Sequence, residues 1–274
     1  MRLATVRTGE GTRAVRVEGD GYVDLGFADV GELLRQDAWH TLAAAAGAPL
    51  PGPVEFAPLV PQPGKVLCVG LNYRNHILEM GRELPAHPTL FAKFADALIG
   101  AADDIELAPE SDAVDWEAEL VVVIGRPVRR ADEQQAAAAI AGFTVMNDVT
   151  MRDWQFRTKE WLQGKTFEGT TPLGPVLVTP DELAGGVRPA LEMTATLDGE
   201  LVQKANTSDL VFDPVALVRY ASTIFTLRPG DVIATGTPGG VGHARTPQRY
   251  LKDGDILVTE IAGIGRLENT ARSA

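Results

Sequence analysis

Three carboxylates stand at alternate positions in Asp115-Trp116-Glu117-Ala118-Glu119-Leu120-Val121-Val122-Val123-Ile124-Gly125. The β-branched run after them and the Gly-Arg-Pro stop predict a strand. Strand side chains alternate between faces, so Trp116, Ala118, Leu120, Val122 and Ile124 share an apolar face. Asp115, Glu117 and Glu119 share the other, roughly 7 Å apart, close enough to repel when partly buried. A divalent cation with oxygen ligands would relieve that repulsion. A solvated edge face would carry the same residues with nothing bound, and the strand alone leaves both readings open. His76 and Glu79 lie three apart, on one face if Leu71–Met80 is helical. A carboxylate there would fix the imidazole tautomer and strengthen it as a base, unless the two are simply an exposed polar pair.

Other chemistry-bearing residues read more ambiguously. Asp148 ends a strand at Phe143–Asn147, where an aspartate commonly forms a cap or turn. Thr150-Met151-Arg152-Asp153 has the form of a capping box and predicts a helix carrying Arg152, Gln155 and Lys159. Gly164-Lys165-Thr166 invites a phosphate-loop reading, but Lys159 occupies the position where that loop needs a glycine. Gly236-Thr237-Pro238-Gly239-Gly240-Val241-Gly242 can bring backbone N–H groups to an anion, or can be a tight turn.

The elements that must position these residues follow from the rest of the 274-residue chain. Residues 1–26 read as a small antiparallel meander, followed by helices at Asp29–Leu34 and Trp39–Ala46. The proline cluster that starts at Pro49 and runs to Pro63 predicts a boundary between a small N-terminal domain, residues 1–60, and a second domain, residues 61–274. Lys65–Gly70 and Leu90–Phe94 read as strands, residues 81–88 as a loop able to act as a lid, and Asp132–Ala141 as an alanine-rich helix. The C-terminal third reads as mostly β, interrupted by a helix at Pro214–Phe225. A net charge of −12 excludes nucleic acid and anionic membrane surfaces as expected partners. No apolar run is long enough to span a bilayer and no signal-peptide core opens the chain. Cys68, the one cysteine, is expected to be buried and fits a cytoplasmic location.

Taken in order, several of these stretches resemble the fumarylacetoacetate hydrolase family. The matching pieces are Cys68–Tyr73 with His76 and Glu79, Asp115–Leu120, Asn147–Asp153, Gly164–Phe167, Asn206–Asp209, Thr235–Gly242 and Gly263–Gly265. The resemblance implies an α+β fold: a β-rich catalytic domain of mixed sheets with flanking helices, preceded by the small N-terminal domain. It implies Mg²⁺ or Mn²⁺ held by Glu117, Glu119 and Asp148, and a homodimer acting on small 2-oxo acids. It further implies that Lys165 is catalytic beside His76 and Glu79. Lys93, Arg152, Gln155, Gly236 and Thr237 would contact substrate.

Breaking a bond next to a 2-oxo acid creates an enolate, whose charge a metal on the oxo oxygen stabilises. With His76 and Glu79 activating water, the expected reaction is C–C hydrolysis of a 2,4-dioxo acid such as an acylpyruvate. The same enolate serves decarboxylation of an oxaloacetate-type acid or isomerisation of a hydroxydienoate. A non-catalytic 2-oxo-acid binder is the reading from outside enzymology. Glu168 replaces an aspartate expected from the family pattern, and His243 is not anticipated by it.

Overall fold

The strand Ala118–Ile124 lies inside a twelve-stranded sheet, flanked by Ile140–Asn147 and Val232–Ala234, both antiparallel to it. The computed structural model describes residues 1–273. Beyond Val232–Ala234 the sheet continues through Val66–Gly70, paired in parallel, to Thr89–Lys93. In the other direction Ile140–Asn147 pairs with Thr171–Val178, which pairs with Arg2–Thr8 and the rest of the N-terminal meander. The strands before residue 60 therefore belong to the same sheet as those after it.

The alternation read in the sequence sorts the two faces of this sheet. Trp116, Ala118, Leu120, Val122 and Ile124 are buried in one core with Met193, Ala195, Leu257 and Leu267. Those partners come from a five-stranded sheet in the order Glu200–Asn206, Glu192–Leu197, Ile256–Ile261, Gly265–Ser273, Ile105–Leu107. Val121 and Val123 point the other way, into a second core with Cys68, Leu33, Leu34 and Trp39 from the helices Val30–Leu34 and Trp39–Ala44. Burying such side chains contributes roughly 1.5–3 kcal/mol each, so the register of the central strand is strongly specified.

The carboxylate strand is broken. Val114–Asp115 pairs separately with Thr150–Met151, and regular pairing resumes only at Ala118. Side chains and one backbone carbonyl fill the gap: the Glu117 N–H donates to Asn147 Oδ1 at 2.9 Å and the Ala118 N–H to Gln203 Oε1 at 2.9 Å. The Asp148 N–H donates back to the Glu117 carbonyl at 2.8 Å. The expected helix at Thr150 also shifts. Thr150–Met151 is strand, the helix is only Arg152–Gln155, and Lys159 lies beyond it, exposed. Asp153 accepts a hydrogen bond from the Ser111 hydroxyl at 2.6 Å instead of closing a capping box.

Candidate active site

The strand break turns Glu117 and Glu119 toward Asp148, and oxygens of the three carboxylates lie within 4.8 Å of one another. Asp115, expected to share their row, leaves it. Its Oδ1 accepts from the Gly242 N–H at 2.6 Å, while Oδ2 accepts from the His243 N–H at 2.9 Å and from Arg152 Nε at 2.8 Å. The anion cradled by the glycine-rich loop is thus the protein's own Asp115. Gly236, with φ of 105°, gives its N–H to Glu119 Oε2 at 2.7 Å, in a left-handed backbone that favours glycine.

Three buried cations pack against these acids. Lys165 Nζ donates to Glu117 Oε2 and to Asp148 Oδ2, both at 2.8 Å, and Lys93 Nζ to Asp148 Oδ1 at 2.7 Å. Arg152 Nη1 lies 2.7 Å from Glu117 Oε1 and 2.9 Å from Gln155 Oε1. Lys165 arrives on the short helix Leu162–Lys165, pressed against Arg152–Gln155 through Gly164. A Cβ there would come within 2.4 Å of the Gln155 nitrogen, so the Gly-Lys pair serves close approach, not phosphate binding. Burial alone would lower the Lys165 ammonium's pKa, but Asp148 and Glu117 outweigh it and hold the group protonated. Burial pushes the Asp148 acid up, yet Lys165 and Lys93 reverse that and keep it below the usual range.

Glu119 differs. It is 1 % exposed and makes no ion pair among the described residues. Burial first, then Asp148 and Glu117, push its acid well above the ordinary carboxylate value. A buried carboxylate without a cation is costly, and hard oxygen donors from three acids suit Mg²⁺ or Mn²⁺. The residues present therefore fit a divalent ion held by Glu117, Glu119 and Asp148.

A cavity of about 350 Å³ opens beside this cluster, lined by Glu117, Lys165, Arg152, Gln155, Thr237 and His76. Phe91 and Trp161 form an apolar wall at 5.3 Å between ring centres, with Lys165 Nζ 5.0 Å from the Phe91 ring. His76 lies on the helix Arg74–Glu79, as expected, and is half-buried. Burial lowers its pKa, partly opposed by Glu79 and Glu117. Glu79 is exposed, and no hydrogen bond joins it to His76 among the described residues. Both flank Gly239, where a Cβ would meet His76 Nδ1 at 3.0 Å and Glu79 Oε2 at 3.7 Å. Lys93 Nζ donates to Asp148 and the Val149 carbonyl, and Lys93 does not line the cavity. His243 does line it, with Nδ1 2.9 Å from the Tyr250 hydroxyl.

Sequence reasoning missed Gln203. Its amide nitrogen donates to Thr237 Oγ1 at 2.9 Å and the Pro238 carbonyl at 3.1 Å, while its oxygen holds Ala118. An irregularity in the pairing of Glu192–Leu197 with Glu200–Asn206 accompanies consecutive Val202 and Gln203 both facing inward. Simple alternation gives no sign of that.

A model of the family described as fumarylacetoacetate (FAA) hydrolase C-terminal matches residues 65–272. The chain belongs to the fumarylacetoacetate hydrolase family. Among its relatives, the rat protein named oxaloacetate tautomerase Fahd2a, mitochondrial, is 43% identical over 244 residues, 89% of this chain and 77% of the relative. The solved fumarylacetoacetate hydrolase of Exiguobacterium antarcticum superposes with a TM-score of 0.91 at 31% identity, over 100% of both chains. The 5-carboxymethyl-2-hydroxymuconate delta-isomerase of Mycobacterium smegmatis does so with a TM-score of 0.85 at 32% identity, again over 100% of both chains. The chain is an enzyme of this family, with the β-rich α+β fold that the sequence implied. Its similarities reach across a tautomerase, a hydrolase and an isomerase.

Proposed function

We propose that this protein interconverts the enol and keto forms of a small 2-oxo acid of the oxaloacetate type. The observation that supports this best is that His76, whose pKa burial lowers, shares one cavity with Lys165, whose ammonium Asp148 and Glu117 favour. Moving a proton between carbon and the neighbouring oxygen requires a base that takes the proton from carbon and returns one to the oxygen, as His76 can, and positive charge near that oxygen to hold the enolate in between. Bound at Glu117, Glu119 and Asp148, a divalent ion would supply Lewis-acid polarisation of the oxo group. Arg152, aimed by Asp115 and Gln155, offers its guanidinium to the adjoining carboxylate. Thr237, whose oxygen accepts from Gln203, keeps its hydroxyl hydrogen for the ligand. Phe91 and Trp161 limit water beside Lys165. The 43% identity to a protein named oxaloacetate tautomerase points the same way.

Hydrolysis of a 2,4-dioxo acid, the reaction expected from the sequence, is the second reading. It is favoured by His76 and Glu79 flanking Gly239 together, where a small movement would join them as a water-activating pair. The absence of that bond among the described residues favours tautomerisation over hydrolysis as our reading. The test is decay of the oxaloacetate enol absorbance with Mg²⁺-loaded protein, beside proton NMR of acetylpyruvate. Faster enol loss without pyruvate supports the proposal. Acetate and pyruvate from acetylpyruvate would make it a hydrolase, and pyruvate from oxaloacetate a decarboxylase. No change in any of them refutes the enzymatic assignment to 2-oxo acids.

A further inference from the structure

Arg82 lines the cavity that holds Glu117, Arg152 and Lys165. It is exposed, at the start of the loop after the helix Arg74–Glu79, and its N–H donates to the Ile77 carbonyl at 3.2 Å. Its positive charge reaches into the site, where it opposes protonation of His76. Among the described residues it makes no ion pair, unlike the other two cations of the cavity wall.

The inner charges are already committed. Asp115, Glu117 and Asp148 are paired with Arg152, Lys165 and Lys93, and Glu119 is a fourth acid. Four acids against three bases leave one negative charge, and a divalent ion turns that into one positive. A single substrate carboxylate neutralises it. A second carboxylate on the same substrate would enter a small cavity with no inner cation left, at a steep desolvation cost. His243 is a poorer receptor, because Nδ1 is engaged by Tyr250 and lies 3.3 Å from the Gln248 amide nitrogen, and its backbone N–H is held by Asp115. An unpaired guanidinium can take a carboxylate through two parallel N–H bonds.

We propose that Arg82 receives the distal carboxylate of the substrate, so that the site selects dicarboxylic 2-oxo acids over monocarboxylic ones of equal length. This rests on the 2-oxo acid reading above and names a specificity-determining residue within it. Charge-assisted pairing at the cavity rim makes the preference readable as an affinity ratio independent of turnover.

The test is calorimetric titration of the Mg²⁺-loaded protein with 2-oxoglutarate and with 2-oxopentanoate, which carries a methyl group in place of the distal carboxylate. The wild-type protein should prefer 2-oxoglutarate by about tenfold or more. Arg82→Gln should abolish that preference and leave 2-oxopentanoate affinity within about twofold, while Arg82→Lys should retain part of it. A preference that survives Arg82→Gln, or equal weakening of both ligands, overturns the assignment and leaves the 2-oxo acid reading standing. Failure of the wild-type protein to bind either ligand overturns both.

Discussion

Glu119→Gln changes one charge and almost no volume at the site's least compensated acid. In the metal-free protein the carboxylate is fully buried, makes no ion pair among the described residues, and its acid is pushed well up by burial, Asp148 and Glu117. An acid raised by folding leaves stability intact below its unfolded value, and that stability is lost as pH rises through the folded value. Each tenfold change in its ionisation amounts to about 1.4 kcal/mol. The amide cannot ionise and its oxygen can still accept from the Gly236 N–H. Metal-free Glu119→Gln should therefore melt at or above the wild-type temperature at neutral pH, and should lack the wild-type decline on going from pH 5 to pH 8. Added Mn²⁺ at about a hundred times its dissociation constant should stabilise the wild-type protein by about 2.7 kcal/mol, or roughly 5–10 °C. The variant should respond by no more than about 1 °C. Scanning fluorimetry of chelator-stripped protein, with and without Mn²⁺, reads both effects. A wild-type metal shift in the variant, or a large loss of metal-free stability, would refute the placement of the ion at this triad.

Other perturbations follow from the same geometry. Burial holds His76 below its ordinary imidazole value of 6.5, so activity should be flat through neutral pH and fall only below that value, as the base becomes protonated. A pH–rate profile whose acid limb lies higher, or persists in His76→Ala, would remove His76 from the chemistry. Asp115→Asn places an amide donor among Arg152 Nε and three backbone N–H groups, leaving buried Arg152 undercompensated. A loss of about 3–5 kcal/mol in urea unfolding is expected, against little change if the bonds are incidental. Gln203→Leu orphans the Ala118 N–H and frees Thr237. It should cost about 1–3 kcal/mol and raise KM more than it lowers kcat, and a wild-type melt with wild-type KM would falsify its positioning role.

Local pattern carried much of this site. Alternation placed Trp116 and its apolar companions in the core correctly, because a buried face leaves little freedom of register. The spacing of His76 and Glu79 fitted the helix Arg74–Glu79. What escaped depends on partners distant in sequence. The capping-box form at Thr150 yields to pairing with Val114–Asp115, a long-range ladder that outcompetes a local cap. Asp115 leaves the carboxylate row because Asn147 and Gln203 take over the backbone at the break, and neither contact leaves a trace in the residues around Glu117. Lys165 and Arg152 were legible only through the family's motif order, since ordinary helix residues acquire meaning from what they are pressed against.

The pairing of Arg2–Thr8 with Thr171–Val178 matters for anyone who trims the chain to the residues that match the family. Cutting at residue 65 strips the outer neighbour from Thr171–Val178, leaving donors and acceptors at Val176, Leu177 and Val178 open along an apolar edge. It also removes Leu3, Leu33, Leu34 and Trp39 from the core behind Val121 and Val123. A bare, flat, hydrophobic edge invites other chains to add strands. The first sixty residues thus work as an edge guard, and a shortened protein is expected to aggregate even with every site residue in place.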